Sequence, residues 1–174
     1  ISKKYNKKIV EIGNIIREEI FNIGTIQGSK ENLNNINILV LGGSQAAKIF
    51  AEELPQIFKR LKNIGMPIKI YQQCQINQNA KLLLSYKEAD IDCEIFNFTD
   101  SINKYYSRVN LVITRSGASV LGELVNVKVP FISIPLPSSA DNHQFKNAQF
   151  YQKKGFGSLL EEKNIKNELY DLIR

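Results

Sequence analysis

The sequence predicts an α/β fold, a doubly wound parallel sheet with helices on both faces, on two observations. Short apolar segments alternate with segments of helical periodicity along most of the chain. Such alternation favours right-handed βαβ crossovers, which cover both faces of a parallel sheet. The length of 174 residues, with 43% apolar and 23% charged residues, fits one globular domain.

The predicted elements follow one another regularly from the first apolar run. Residues 38–41 end at two glycines, as a buried parallel strand does, and apolar residues then recur with helical spacing over 45–61. Four further cycles follow. Strands are predicted at 68–71, 93–98, 111–114 and 131–134, and helices at 80–87, 101–106, 118–127 and 144–153, with a last helix at 165–173.

An Asn-rich stretch at 32–37 separates this series from the N-terminal part of the chain. We therefore expect residues 1–35 to form an N-terminal segment and interdomain hinge, and residues 36–174 to form a Rossmann-like ligand-binding domain. Because the chain opens with Ile1 instead of Met and enters a basic, extended-looking stretch, we also expect it to be a fragment.

The formal net charge of +6 is compatible with a nucleic acid, an acidic membrane or a small anion as partner. The densest cluster is four lysines within residues 3–8, and the other lysines are scattered among the predicted helices. We expect a solvated basic face and no nucleic-acid partner, with adsorption to acidic lipid as the alternative. No apolar run approaches the roughly 20 residues that span a bilayer, and no secretory signal is evident, so we expect a cytosolic location with Cys74 and Cys93 as reduced, packed thiols.

In open α/β sheets, ligands bind beyond the carboxyl ends of the strands, so the strand-to-helix loops form the candidate site. The first loop is Gly42-Gly43-Ser44-Gln45, whose glycines permit close backbone approach and whose Ser44 can meet a phosphate. A tight turn with Ser44 as a helix cap is the alternative. The loop matches neither the dinucleotide nor the P-loop pattern, which argues against an oxidoreductase or an NTPase.

The second loop is Arg115-Ser116-Gly117, and Glu123 lies on the helix that follows it. Gly117 and Glu123 are separated by about 9 Å along a helix, comparable to the span from a nucleotide's diphosphate to its ribose. The helix N-terminus would hold the phosphates, and the Glu123 carboxylate would accept hydrogen bonds from the ribose hydroxyls. The alternative is that Glu123 is only a solvated helix residue.

The third loop, 135–144, collects polar groups that suit the hydroxyls of a sugar. Asp141, His143, Gln144 and Asn147 lie within about a turn of one another at the predicted helix entry. His143, the only histidine, has two candidate roles, hydrogen bonding to a sugar and general-base catalysis near neutral pH. Hydrogen bonding is favoured, because only Asp141 stands near enough in sequence to orient the ring.

The fourth loop, 97–100, offers backbone groups and the aromatic edge of Phe98 to a nucleotide base. A literal D-x-D at Asp90-Ile91-Asp92 resembles a pattern that holds a metal and a diphosphate in one class of glycosyltransferases. It precedes a predicted strand instead of following one. We therefore expect exposed carboxylates at the opposite edge of the sheet and no metal site.

With these loops in this order, the chain resembles the MurG family of bacterial N-acetylglucosaminyltransferases over nearly its whole length. The matching stretches are 13–17, 42–47, 98–100, 115–118 with Glu123, and 141–144 with 147–148. The resemblance implies a GT-B architecture, in which two Rossmann-like domains face each other across a cleft. This chain would be the C-terminal domain, which binds UDP-GlcNAc.

The resemblance also implies the reaction. An inverting hexosyltransferase would pass GlcNAc to the C4 hydroxyl of MurNAc on the undecaprenyl-linked peptidoglycan precursor, giving lipid II for cell-wall synthesis. It would need no cofactor and no metal, and it would act peripherally on the inner face of the cytoplasmic membrane. The acceptor and the probable general base would belong to the N-terminal domain, so the isolated chain is expected to be inactive.

Site residues carry over from the family's segments position by position. The resemblance implies diphosphate contacts from Arg17, Gly43, Ser44, Ser116 and Gly117, uracil contacts from Phe98 and Thr99, a ribose contact from Glu123, and sugar contacts from His143, Gln144 and Asn147. Two segments depart from the family pattern. Ile15 replaces a proline near the hinge, and Gln72-Gln73 replaces a His-Gln pair without the usual glycine soon after it.

Two alternatives stay open at this point. One is a separately encoded donor subunit that needs a partner chain, as in the eukaryotic dolichol-linked GlcNAc transferase. The other is a different GT-B transferase or a nucleotide-sugar epimerase, which would share the fold and the ribose-binding glutamate.

Overall fold

A computed structural model describes residues 13–25, 35–43 and 48–174. Within these ranges, six strands form one sheet in which every neighbouring pair is parallel. The spatial order is β3-β2-β1-β4-β5-β6. The strands are β1 (Ile36–Leu41), β2 (Ile68–Gln73), β3 (Asp92–Phe96), β4 (Leu111–Thr114), β5 (Phe131–Ser133) and β6 (Gly157–Leu159). The predicted doubly wound parallel sheet is confirmed.

Helices cover both faces of this sheet. They are α1 (Glu18–Phe21), α2 (Lys48–Asn63), α3 (Asn79–Glu88), α4 (Asn103–Tyr106), α5 (Ala118–Asn126), α6 (His143–Lys153) and α7 (Ile165–Ile173). Short 3₁₀ turns lie at Asn22–Thr25, Ile76–Gln78, Ala140–Asn142 and Glu162–Asn164. None of the helices in the described ranges combines the length and the apolarity that a membrane crossing requires.

The core consists of two apolar clusters, one on each face of the sheet. Because side chains alternate along a strand, Ile38 and Val40 point to one face and Leu39 to the other. The first cluster includes residues of α2, α3 and α7, and the second includes residues of α1, α4, α5 and α6. Cys74 and Cys93 are free thiols, as expected.

Most predicted elements lie where the periodicity placed them. The bounds of β4 and α7 agree with the prediction, and the other predicted elements shift by a few residues at their ends. Strand β6 was missed, because three residues are too short to show a pattern. It pairs with β5, and a Cβ atom at Gly157 would overlap the Phe131 ring, so the position requires glycine.

The N-terminal segment from Gly13 to Phe21 packs on α5 and α6. Ile20 is fully buried in the second cluster, and Asn126 Nδ2 donates a hydrogen bond of 3.1 Å to the Ile20 carbonyl. Asn14 Nδ2 lies 2.6 Å from the Tyr151 hydroxyl and 3.3 Å from the Ala118 carbonyl oxygen. The lysine cluster at 3–8 and the Asn-rich residues 32–34 lie outside the described residues.

Candidate functional site

The order of the strands in the sheet reverses between β1 and β4. This reversal places the first two candidate loops side by side. Leu41 pairs with Thr114, and the Arg115 N–H donates to the Leu41 carbonyl at 3.2 Å. Gly43 has a φ of +75°, a backbone conformation that strongly favours glycine. The two loops form the crevice in which open α/β sheets bind ligands. Ser44 lies outside the described residues.

Helix α5 begins at this crevice without a side-chain cap. Its N-cap residue, Gly117, has no hydroxyl or carboxyl group to satisfy the first N–H groups, so no side-chain cap among the described residues closes this helix end to an anion. Ser116, directly before it, is fully buried. Its Oγ has no hydrogen-bond partner among the described residues, which is uncommon for a buried hydroxyl. Both features lie where a phosphate group would be expected.

Glu123 lies further along α5 and is buried, with 6% of its surface exposed. Its Oε1 accepts a hydrogen bond of 2.9 Å from Arg17 Nε, and its Oε2 accepts one of 3.1 Å from the Tyr106 hydroxyl. The interpretation of Glu123 as a solvated helix residue is therefore wrong. A buried carboxylate held by two donors is typical of a functional or a structural charge.

Arg17, predicted at the diphosphate, binds Glu123 in this structure. Its side chain is 48% exposed and lies also 3.3 Å from Glu19. The hydrogen bond to Glu123 is the main cause that raises the pKa of Arg17. Ile15, which stands at the family's proline position, is exposed.

Gln144 and Asn147, predicted to contact the sugar, both form hydrogen bonds with the second loop. Gln144 Oε1 accepts hydrogen bonds from the Leu136 N–H at 2.9 Å and from the Ser116 N–H at 3.3 Å. Asn147 Nδ2 donates to the Ser116 carbonyl at 3.1 Å. Gln144 thus links the loop after β5 to the loop after β4, and Asn147 links α6 to the loop after β4.

His143 is exposed, and its Nδ1 lies 2.8 Å from the Ala140 carbonyl oxygen. Asp141 and Asn142, just before it, have φ values of 48° and 54°, in the left-handed region. The ring is therefore oriented by a backbone carbonyl and not by the Asp141 carboxylate. With Nδ1 donating to this carbonyl, Nε2 would be left as the acceptor, which is compatible with both candidate roles of His143.

The loop after β3 lies beside the carboxyl end of β2. Asn97 Nδ2 donates to the Cys74 carbonyl at 2.9 Å, and Thr99 Oγ1 accepts from the Ser101 N–H at 3.0 Å. Phe98 is 76% exposed, an unusual position for a phenylalanine in a folded domain. Helix α4, which follows Phe98 and Thr99, carries Tyr106 to Glu123.

Two residues of the site received no role from the sequence: Arg115 was named only as part of the second loop, and Tyr106 was not singled out. Arg115 is buried, its Nη1 donates to the carbonyls of Ile134 and Pro135 at 3.3 Å each, and its guanidinium lies 4.8 Å from the centre of the Phe50 ring. It also pairs with Glu162. Tyr106 is the second. For Arg115, the only indication in the sequence that it belongs to the site was its place beside Ser116. For Tyr106, nothing in the sequence linked it to Glu123.

The D-x-D segment lies at the amino edge of the sheet, as predicted. Asp92 opens β3, and Asp90 lies in the turn before it. Both carboxylates are exposed and pair with lysines, Asp90 with Lys62 at 3.3 Å and Asp92 with Lys69 at 2.8 Å. Neither belongs to the candidate site.

A comparison with protein families identifies the domain. Residues 37–174 match the model of the glycosyltransferase family 28 C-terminal domain. The chain belongs to this family.

Relatives of the family 28 domain agree with this assignment. The UDP-N-acetylglucosamine--N-acetylmuramyl-(pentapeptide) pyrophosphoryl-undecaprenol N-acetylglucosamine transferase of Pelagibacter ubique (strain HTCC1062) is 39% identical over 98% of this chain and 48% of its own length. The protein of the same name from Rickettsia canadensis (strain McKiel) is 38% identical over 95% of this chain and 49% of its own length. The chain thus spans about half the length of the curated relatives it matches.

The fold agrees as well. The crystal structure of MurG from Acinetobacter baumannii superposes with a TM-score of 0.75 and 24% identity, covering 95% of this chain and 47% of that one. The resemblance to the MurG family seen in the sequence is confirmed, and so is the Rossmann-like GT-B domain fold.

Proposed function

We propose that this family 28 domain binds UDP-GlcNAc as the donor half of an inverting N-acetylglucosaminyltransferase. The C4 hydroxyl of MurNAc on the undecaprenyl-linked precursor attacks the anomeric carbon of GlcNAc, and UDP leaves from the opposite face. The product is lipid II. The printed names of the relatives support this donor and this acceptor.

One observation carries the proposal, the arrangement along α5. One end carries the helix N-terminus and the Ser116 hydroxyl, neither of which has a side-chain partner among the described residues. The buried Glu123 carboxylate lies six residues beyond Gly117. This separation is about 9 Å along the axis. A diphosphate at the first position would find hydrogen-bond donors for its phosphate oxygens. A ribose at the second position would find an acceptor for its hydroxyls.

The other site residues extend this arrangement. Gly43 and Ser44 approach the diphosphate from the β1 loop, Phe98 and Thr99 border the uracil, and His143, Gln144 and Asn147 face the sugar. Gln144 already uses its amide oxygen for two N–H donors, so we assign its NH₂ group to a sugar hydroxyl. Asn147 uses its NH₂ group on Ser116, and its oxygen is the group we assign to the sugar.

Stabilisation of the leaving group is the catalytic contribution of this domain. Negative charge grows on the departing UDP in the transition state. The N–H groups of α5 are fixed in the fold and point toward the phosphate position, so they stabilise that charge without reorganising. Arg17, released from Glu123, adds a positive charge at the diphosphate.

We assign the acceptor site and the general base to a second domain of the whole protein, with residues 1–35 as the interdomain segment and residues 36–174 as the donor domain. Because the acceptor carries an undecaprenyl chain, the whole protein would work peripherally at the cytoplasmic face of the membrane. The isolated chain would then bind the donor weakly and turn over no substrate.

Calorimetric titration of the chain with UDP-GlcNAc, UDP-GalNAc, UDP and GDP tests the proposal. We expect binding of both UDP-sugars and of UDP, a preference for UDP-GlcNAc over its C4 epimer, and much weaker binding of GDP. Equal affinity for UDP and GDP would contradict the uracil assignment. A preference for UDP-GalNAc would contradict the donor assignment.

A further inference from the structure

Tyr106 is the buried partner of Glu123, and its role follows from a comparison of the two hydrogen bonds that hold this carboxylate. The Tyr106 hydroxyl donates to Oε2 at 3.1 Å, and Arg17 Nε donates to Oε1 at 2.9 Å. Tyr106 is 3% exposed and belongs to the apolar cluster beneath α5. The Arg17 side chain is 48% exposed. One partner is fixed by the core, whereas the other is free to exchange with a ligand.

We propose that Tyr106 is a positioning residue, which fixes the Glu123 carboxylate in the orientation that accepts the ribose hydroxyls of the donor. This inference rests on the proposed function of Glu123. The ribose would replace Arg17 at Oε1, and Tyr106 would keep its hydrogen bond to Oε2. Each carboxylate oxygen accepts more than one hydrogen bond, so Tyr106 does not block the ligand.

The energetic benefit comes from preorganisation. A glutamate side chain has three rotatable bonds, and ordering them on binding costs free energy that would weaken the complex. Tyr106 orders them before the donor arrives. Burial, and then the charge and the hydrogen bond of Glu123, raise the pKa of Tyr106, so its hydroxyl remains a donor at any working pH.

The position of Tyr106 in the chain adds a second consequence. Helix α4 directly follows the loop of Phe98 and Thr99, so one short element connects the candidate uracil loop to the ribose carboxylate. The ring is held in the core, and the hydroxyl alone reaches Glu123. The role of the hydroxyl is therefore separable from that of the ring by a single substitution.

The experiment compares Tyr106→Phe with Tyr105→Phe in the full 174-residue chain. Tyr105 is the matched control, because its hydroxyl donates to Glu94 at 2.7 Å and does not contact Glu123. Calorimetry measures the affinity for UDP and for 2′,3′-dideoxyuridine diphosphate, which lacks both ribose hydroxyls. We expect Tyr106→Phe to weaken UDP binding about tenfold and to leave the dideoxy ligand within twofold. Tyr105→Phe should leave both affinities within twofold.

The ratio of the two affinities cancels any change in the folded fraction, because both ligands bind only the folded chain. Equal weakening of both ligands, or an unchanged ratio, would overturn the positioning role.

The outcome also separates this inference from the proposed function. A wild-type chain that binds UDP and the dideoxy ligand equally would refute the ribose assignment of Glu123, and the role of Tyr106 with it. A wild-type chain that prefers UDP, together with a Tyr106→Phe chain that keeps the same preference, would refute the positioning role alone.

Discussion

Arg17 Nε donates a hydrogen bond of 2.9 Å to Glu123 Oε1, across 106 residues of sequence. This contact ties the N-terminal segment to the helix that carries the candidate phosphate and ribose positions. When no donor is bound, the Arg17 guanidinium, which we assign to the diphosphate, is therefore paired with the Glu123 carboxylate, which we assign to the ribose.

Replacing Arg17 should weaken both the fold and donor binding. Arg17→Ala leaves the buried Glu123 with Tyr106 as its remaining partner, and we expect the free energy of unfolding to fall by about 1 kcal/mol, a modest value because Arg17 is half exposed. Urea denaturation measures it. Glu19→Ala is the control, since it removes only the exposed pair with Arg17, and its cost should stay below about 0.5 kcal/mol. Equal costs for the two variants would mean that the Glu123 contact contributes nothing.

Gly122 is required by the close approach of Asn14. A Cβ atom at Gly122 would lie 2.6 Å from Asn14 Nδ2 and 3.2 Å from Asn14 Cβ. Gly→Ala in a helix interior normally stabilises by about 1 kcal/mol. We expect Gly122→Ala to destabilise by about 1 kcal/mol instead, because the N-terminal segment must move.

The double variant Asn14→Gly/Gly122→Ala tests the cause. It removes the side chain that the new methyl group meets, so Gly122→Ala should become neutral or stabilising in the Asn14→Gly background. Thermal unfolding of the four chains completes the cycle. If Gly122→Ala costs the same with and without the Asn14 side chain, the close approach is not its cause.

Arg115 holds three loops together, and a lysine should not replace it. Arg115→Lys loses the donors to Ile134 and Pro135 and the stacking on Phe50. Because the position is buried, we expect a loss of about 2 to 3 kcal/mol in the free energy of unfolding, measured with urea. Lys48→Arg is a fair control, because it exchanges the same two residue types at an exposed position, where the effect should stay within about 0.5 kcal/mol. A fully stable Arg115→Lys chain would refute this role.

The two thiols should react slowly near neutral pH. Burial raises the pKa of Cys74 and of Cys93, so less of each is present as the reactive thiolate. The labelling rate with iodoacetamide should increase as the pH rises through 9 and beyond, up to the raised pKa values. Cys74 should be the slower, because it is buried and its thiol donates to Asn79 Oδ1 at 3.1 Å.

Single-cysteine chains, Cys74→Ser and Cys93→Ser, separate the two rates. A rate that reaches its plateau below pH 8 would contradict the raised pKa. Unfolding in urea should bring both thiols to the same rate, which controls for local sequence effects.

Much of the site was predictable because strand polarity is regular. Once the strands were identified, the loops after Leu41, Thr114 and Ser133 had to meet at one edge of the sheet. The hydrogen bonds of Gln144 and Asn147 to Ser116 are consistent with that meeting, although these contacts themselves were not predicted. The burial of Glu123 was not predictable in this way. It depends on Tyr106 and Arg17, which reach α5 from distant parts of the chain, and no periodicity records such a contact.

Two other features could not be predicted from the sequence, each for a physical reason. Strand β6 has three residues and includes Gly157, so it shows neither alternation nor β-branched enrichment. Asn14 packs on Gly122, 108 residues away in the sequence, because glycine has no side chain to block the contact. The reason for a glycine at this position becomes evident only when the two segments are in contact.

The most direct test of the central claim is calorimetric titration of UDP-GlcNAc into Glu123→Ala and Asp90→Ala. Both variants remove one carboxylate from the same chain, one at the crevice and one exposed at the opposite edge of the sheet. We predict that Glu123→Ala abolishes detectable binding, whereas Asp90→Ala binds like the wild type. Undiminished binding by a folded Glu123→Ala chain would contradict the assignment of this crevice to the donor.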